Sequence, residues 1–228
     1  MAAQVSQEIA EEAARLTVAV LGGTGNQGRG LARRLSMAGN RVIIGSRQAD
    51  RAIAAAAELG SPPEVTGADN EDAARAADLV IAAMPWEGHA DLLARLAGAL
   101  EGKIVVDCVN PVAFDASGAY PIMVPEGSAA QQAAAVLPGS IVVGAFHHVS
   151  AVLLLDPEVE EFDLDVMVLG DDRHATDLVQ ALAQRIPGMR GVYAGRLRNC
   201  GQVEALTANL VSVNRRYKAH AGLRITDI

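Results

Sequence analysis

At 228 residues, half of them hydrophobic, the chain is long enough for one large domain, or for one domain with a small appendage. A net charge of −8 argues against nucleic acid as a main partner, and 3% aromatic content leaves no stacking platform for bases. Cys108 and Cys200, the only cysteines and outside any CxxC pair, are expected to be free thiols in a reducing compartment.

Residues 1–16 carry Glu8, Glu11 and Glu12 and no long apolar core. They read as a helical or frayed extension outside the fold, neither signal peptide nor membrane span, and no later run is long enough to span a bilayer. The expected location is cytoplasmic. From Thr17 the pattern sharpens. An apolar run, Thr17 to Leu21, predicts a buried strand. A glycine-rich turn follows, then a helix from about Asn26 to Ala38 stopped by Gly39-Asn40, then a second strand over Arg41 to Gly45. Gly23-x-Gly25-x-x-Gly28 thus sits between a strand and a helix, the context a dinucleotide fingerprint needs. Gly23 is expected to permit the tight bend, Gly25 to let the backbone approach a pyrophosphate, and Gly28 to seat the helix against the strand. The helix N-terminus offers unpaired N–H groups to the phosphates.

At the end of the second strand an NAD site has an acidic residue that binds the ribose hydroxyl. Here the chain has Ser46-Arg47, with Arg51 one helical turn on. A hydroxyl and two guanidinium groups attract a 2′-phosphate that a carboxylate would repel, so the expected cofactor is NADP(H). Asp50 is close enough in sequence to pair with Arg47 and compete.

Strands and helices continue to alternate. Ala52 to Leu59 reads as helix and Ser61-Pro62-Pro63 as a breaker. Val65-Thr66 reads as a short strand, and Asn70 to Ala77 as a helix with Asn70 its candidate cap. Leu79 to Met84 is a strand, His89 to Leu100 a helix, and Ile104 to Val109 a strand. A loop is expected from Asn110-Pro111 to about Pro125, then a helix over Ser128 to Val136 and a strand over Ile141 to Ala145. This alternation predicts an α/β fold, a Rossmann-type doubly wound parallel sheet. Asp171-Asp172, after a strand and a glycine, reads as a helix start.

Ligands of such a sheet lie outside the carboxyl ends of its strands. Those ends are Met84-Pro85-Trp86, Asn110-Pro111 and Phe146-His147-His148. Trp86 either packs under a loop or shapes the wall of the cofactor cleft. Adjacent histidines on an extended segment point opposite ways and seldom share an ion; His89, His174 and His220 show no ligand spacing, so no metal is assigned. None of Tyr120, Tyr193 or Tyr217 has a lysine four residues on, and no Gly-x-Ser-x-Gly elbow occurs. Fewer than eighty residues follow Ala151, too few for a large helical substrate domain. Hydride transfer between two flat redox rings needs little acid–base help and fits this inventory. Two alternatives stay open: reduction of a small imine or carbonyl, with His147, His148 or Tyr120 as proton donor, and a non-catalytic NADP sensor.

These residues resemble a known family over about 17–225: the NADPH:coenzyme F-420 oxidoreductases, or F-420-dependent NADP reductases (F420 below; a deazaflavin). Gly22 to Gly28, with Thr24, Asn26 and Gln27 in place, is similar to the family's phosphate loop. Gly45-Ser46-Arg47, with Arg51, resembles its 2′-phosphate site, and Pro85-Trp86-Glu87 its fourth-strand turn. His147 to Ala151 occupies its segment beside the nicotinamide and deazaflavin rings; where archaeal members read His-Thr-Ile-Pro-Ala, this chain reads His-His-Val-Ser-Ala. Glu204-Ala205-Leu206-Thr207 resembles the start of the family's C-terminal helix. The resemblance implies an NADP-binding Rossmann domain over residues 17–152 and a small C-terminal domain over 153–228. It implies hydride transfer between NADP(H) and coenzyme F420, with no metal or covalent intermediate. His147, Val149, Ser150 and Ala151 would position the rings, and Leu223 would approach the deazaflavin. A homodimer is expected from the Leu- and Val-rich C-terminal segment.

Overall fold

The computed structural model describes residues 6–60 and 65–228. The breaker expected at Ser61-Pro62-Pro63 lies outside the described residues. A first βαβαβ half contains β1 (Thr17–Leu21), α2 (Asn26–Met37), β2 (Arg41–Ser46), α3 (Ala49–Glu58) and β3 (Val65–Asp69), with α1 (Gln7–Arg15) ahead of it. Every residue of β1 after Thr17 is buried, as a central parallel strand covered on both faces requires. The second half runs through α4 (Asn70–Ala76), β4 (Leu79–Ala82), α5 (His89–Leu100) and β5 (Ile104–Asp107). It continues through a hairpin, β6 (Val112–Asp115) and β7 (Gly118–Pro121), to α6 (Ala129–Val136) and β8 (Ile141–Gly144). The chain closes with α7 (Ala151–Leu155), β9 (Leu164–Gly170), α8 (Arg173–Gln184), β10 (Met189–Gly195) and α9 (Cys200–Tyr217).

Eight strands make one sheet in the order β10-β9-β8-β5-β4-β1-β2-β3. All neighbours are parallel except β8 and β9. The chain winds outward from β1 in both directions, so the switch point lies between the carboxyl ends of β1 and β4, where such sheets bind ligands. Strands β9 and β10, from the segment after residue 152, extend the same sheet. Two expectations are corrected here. The N-terminal segment, where described, is not outside the fold: Ala13 is fully buried with Leu178 and Ala181 of α8, and Asn40 Nδ2 donates to the carbonyls of Ala13 (2.8 Å) and Leu16 (3.1 Å) at its end. The supposed loop after Pro111 contains the hairpin, whose turn is set by Asp115 Oδ1 accepting from the amides of Ser117 (2.7 Å) and Gly118 (3.1 Å).

Helix caps follow side-chain chemistry. Asp69, not Asn70, caps α4, its Oδ1 accepting from Glu71 N and Asp72 N at 2.9 Å each. Asp172 caps α8 by accepting from Ala175 N (2.8 Å), in keeping with the predicted start. Arg34 of α2 is buried and reaches across to the end of α7. Its Nε donates to Leu154 O (2.8 Å), Nη1 to Val159 O (2.6 Å), and Nη2 to Leu153 O (2.9 Å) and Asp156 O (2.7 Å). Helix α2 thereby fixes the element that begins at Ala151.

Candidate active site

The phosphate loop joins β1 to α2. Gly22, rather than Gly23, takes the left-handed conformation (φ +67°), and a methyl group there would stand 2.7 Å from the Met84 backbone. Gly23 is needed for space: its Cβ would lie 2.6 Å from Val20 O. Gly28 seats α2 on the loop, since its Cβ would lie 2.6 Å from the Gly23 Cα. Gly25 differs. It caps α2 in extended conformation, and its Cβ would meet nothing nearer than Gly22 O at 3.8 Å. Nothing in the fold demands glycine there, but a pyrophosphate lying on the helix N-terminus would.

An open cleft of about 670 Å³ runs from this loop over the strand ends, within the size range of nucleotide and drug-sized sites. Thr24, Gly25, Asn26 and Gln27 line it, together with Ser46, Arg47 and Arg51 at the end of β2. Asp50 makes no ion pair with Arg47 among the described residues. Arg95, on α5 across the cleft, was not expected from the sequence; nothing in its surroundings of primary structure marks it. Asn70, also in the cleft, points its Oδ1 at Gly22 N (3.4 Å).

A second cavity, about 420 Å³, continues from the first. The two share Gln27, Ala83, Met84 and Pro85. Trp86 lies on the wall and stacks on His89, the ring centroids 5.7 Å apart. Residues 147–151 form one side and the hairpin residues Val112 and Phe114 another. Thr207, Leu210, Val211 and Asn214 of α9 form a third. Leu223 does not reach this cavity; its carbonyl accepts from Asp165 N (2.7 Å), and Ala221 lines the wall instead.

His147 and His148 lie in a turn, not on the extended segment expected. Phe146 is fully buried with φ +62°, a costly conformation for an aromatic residue. Gln27 Nε2 braces it by donating to Phe146 O (3.2 Å), and Asn110 Nδ2 donates to His147 O (2.8 Å). Ser150 Oγ accepts from Leu153 N (3.5 Å) to cap α7. The two histidines do diverge. His148 Nε2 donates to Asp165 O (2.9 Å), and burial lowers its pKa. His147 turns inward toward Glu204, and burial lowers it to about 4.

Beneath the cavity lies a buried polar group that the sequence did not reveal. His89 Nε2 lies 2.6 Å from Asp107 Oδ2, and His89 Nδ1 lies 3.1 Å from Gln132 Oε1. Both ring nitrogens face oxygen acceptors, which suits a doubly protonated imidazolium. Burial works against that charge, but the hydrogen bond and charge of Asp107 outweigh it and raise the pKa. Of the groups lining the cavity, Cys108 donates to Ala82 O (3.1 Å) and is pushed far up by burial. No carboxylate, lysine or tyrosine lines the cavity among the described residues, and Tyr120 is nearly half exposed away from it. No cluster of His, Cys, Asp or Glu that could hold a metal ion occurs among the described residues.

The chain matches the family described as "NADP oxidoreductase coenzyme F420-dependent" over residues 17–111. It is 38% identical over 223 residues to the F420-dependent NADP reductase of Methanothermobacter marburgensis, covering 93% of this chain and 99% of that one. It is 38% identical over 224 residues to the F420-dependent NADP reductase of Methanocaldococcus jannaschii, covering 93% and 99%. Among solved structures, a protein of Arthrobacter sp. FB24, proposed to be an F420-dependent NADP reductase, superposes with a TM-score of 0.79 at 28% identity, covering 93% of this chain and 100% of that one.

Proposed function

The chain belongs to the F420-dependent NADP reductases, and we propose that its two joined cavities hold NADP(H) and coenzyme F420 with their reactive rings in contact. It is an oxidoreductase that transfers hydride between NADP(H) and F420. The observation that supports this use of the site is the junction at Gln27, Ala83, Met84 and Pro85. Ser46, Arg47 and Arg51 would hold a 2′-phosphate and the start of α2 a pyrophosphate, so a dinucleotide would run along the cleft toward that junction. The wall of residues 147–151 then faces the second ring.

When both are bound, the nicotinamide supplies the hydride from C4 and the deazaflavin receives it at C5. The protein's own part is orientation. Gly25 and the first amides of α2 anchor the phosphates, Pro85 and Trp86 bound one ring, and Val149 and Ala151 set the separation. Gln27 contributes at both ends, lining the cleft while holding Phe146 O. Among the described residues the lining lacks a group that donates a proton readily at neutral pH, which weighs against imine or carbonyl reduction.

Mixing the protein with NADPH and oxidised F420 should bleach the deazaflavin's visible band with equal consumption of NADPH. NADPH oxidation by a cyclic imine with no bleaching would replace this reading. We also place the chain in a homodimer in the cytoplasm. Exposed Phe114, Val211, Val213 and Tyr217 near the second cavity support the first, and the two unpaired buried thiols the second. No helix among the described residues is long and apolar enough to cross a membrane. Sedimentation of the purified protein tests the dimer.

A further inference from the structure

Glu204 does not line either cavity. It stands in the first turns of α9, almost wholly buried, and its carboxylate touches two other parts of the fold. Oε2 accepts from Ala129 N (2.8 Å) and Oε1 from Ala130 N (3.2 Å), two of the amides that open α6. The same Oε1 lies 4.0 Å from His147 Nε2. That imidazole has no exposed surface, and neither ring nitrogen has a hydrogen-bond partner. Leaving a buried polar group unmet costs stability. A movement of roughly 1 Å would bring the pair to hydrogen-bonding distance.

We propose that Glu204 is a positioning residue for hydride transfer: its carboxylate accepts a hydrogen bond from the His147 imidazole and so fixes the turn that separates the two rings. This rests on the reading of the second cavity as the deazaflavin site. The other holds on the turn are already made. Gln27 takes Phe146 O, Asn110 takes His147 O, and Ser150 caps α7. The ring of His147 is the anchor still open, and Glu204 is the acceptor beside it.

Charge makes the contact responsive to pH. Asp107 from β5, His89 from α5, Cys200 from the start of α9 and His148 from the turn surround the pair, besides the two amides of α6. Burial raises Glu204 to about 7, with the amides of Ala129 and Ala130 opposing, Asp107 adding to the rise and His89 reducing it. His147, held down to about 4, is neutral throughout that range. Ionised Glu204 can accept from both amides and from Nε2–H. Protonated Glu204 has less acceptor capacity and competes for Nε2 as a donor, which favours the other tautomer.

The test is steady-state kinetics of the intact protein with NADPH and F420, varying each across pH. In the unsubstituted protein kcat/KM for F420 should rise through a single inflection near about 7, while the KM for NADPH stays flat. Glu204→Gln should remove the inflection and raise the KM for F420 roughly tenfold, as expected for a lost bond to a charged group. His147→Asn should give the same loss, and the two together no further loss. Equal effects on both substrates, a retained inflection in Glu204→Gln, or additive losses would reduce Glu204 to a cap on α6 and overturn the proposal. Nitrogen-15 shifts of the His147 ring in the unsubstituted protein report the pairing without any variant or turnover. They should move toward the Nε2–H tautomer as Glu204 ionises, and constant shifts would overturn the pairing. If the unsubstituted protein fails to turn over F420 while those shifts move, the deazaflavin reading fails and the pairing stands.

Discussion

A Cβ on Gly28 would stand 2.6 Å from the Gly23 Cα, whereas one on Gly25, three residues earlier, would meet no protein atom within 3.7 Å and only Gly22 O at 3.8 Å. Two glycines of one motif are therefore required for different reasons. Gly28→Ala should lower the melting temperature, because the backbone must shift to relieve the overlap and such overpacking costs about 1–3 kcal/mol. Gly25→Ala should melt like the unsubstituted protein but bind NADPH far more weakly, because the methyl group would point where the pyrophosphate is proposed to lie. Calorimetry and cofactor titration of both variants separate the two. Equal melting losses would mean that Gly25 serves the fold and not the ligand.

Much of the fold was legible because its signals are local. The strand–glycine loop–helix pattern depends on neighbours within about 30 residues, and His89 to Leu100 is predicted and observed with the same ends. What was not legible depends on partners far along the chain. Glu204 and Ala129 are 75 residues apart, and His89 and Asp107 meet only because α5 folds back on β5. An acidic residue in a helix carries no mark that its carboxylate will be sealed among amides. The docking of α1 rests on Ala13, whose small side chain gives almost no hydropathic signal yet fits fully against α8. The β6–β7 hairpin was obscured because its faces are half exposed and its strands have four residues each. Asn110 and His147, both at strand ends, line the second cavity, but the direction in which His148 turns depends on Asp165, a residue far from it in the sequence.

Arg47 and Arg51 are exposed at the cleft with no protein partner among the described residues. Arg47→Ala should raise the KM for NADPH by roughly 10- to 150-fold, the range for losing a charge-assisted contact, while changing that for NADH little. Steady-state kinetics with both nucleotides checks this. Equal effects would mean that Arg47 does not bind the 2′-phosphate. Arg95 faces the same cleft, so Arg95→Ala should add a smaller loss of the same selectivity.

The His89–Asp107 pair has both side chains fully buried. Its imidazole titrates above the ordinary histidine value in the folded chain. Its contribution to stability is therefore full below about pH 6.5, where the unfolded chain also holds the proton, and fades as pH rises through the folded value. Asp107→Asn should cost about 3–5 kcal/mol under mildly acidic conditions, as for other buried pairs that lose one partner. The deficit should shrink in alkaline solution. Thermal unfolding of both proteins at two pH values measures it, and a deficit independent of pH would mean that His89 is neutral in the fold.

The reaction itself makes the sharpest prediction. Direct transfer requires donor and acceptor carbons at near-attack separation, about 3–3.5 Å, with no exchangeable carrier between them. The junction at Gln27, Ala83, Met84 and Pro85 allows one ring to reach the other, and the walls at Val149 and Ala151 are apolar. The His147 side chain, beside the cavity, has no exposed surface, so it is badly placed to take the hydrogen and return it. Deuterium placed at the transferred C4 position of NADPH should therefore appear at deazaflavin C5 without loss to water. Mass spectrometry of the reduced product, formed in ordinary water, reads the label directly. Retention of one deuterium per product molecule is expected. Washout of the label into solvent would exclude direct transfer and require a protein group that exchanges with water in the path between the rings.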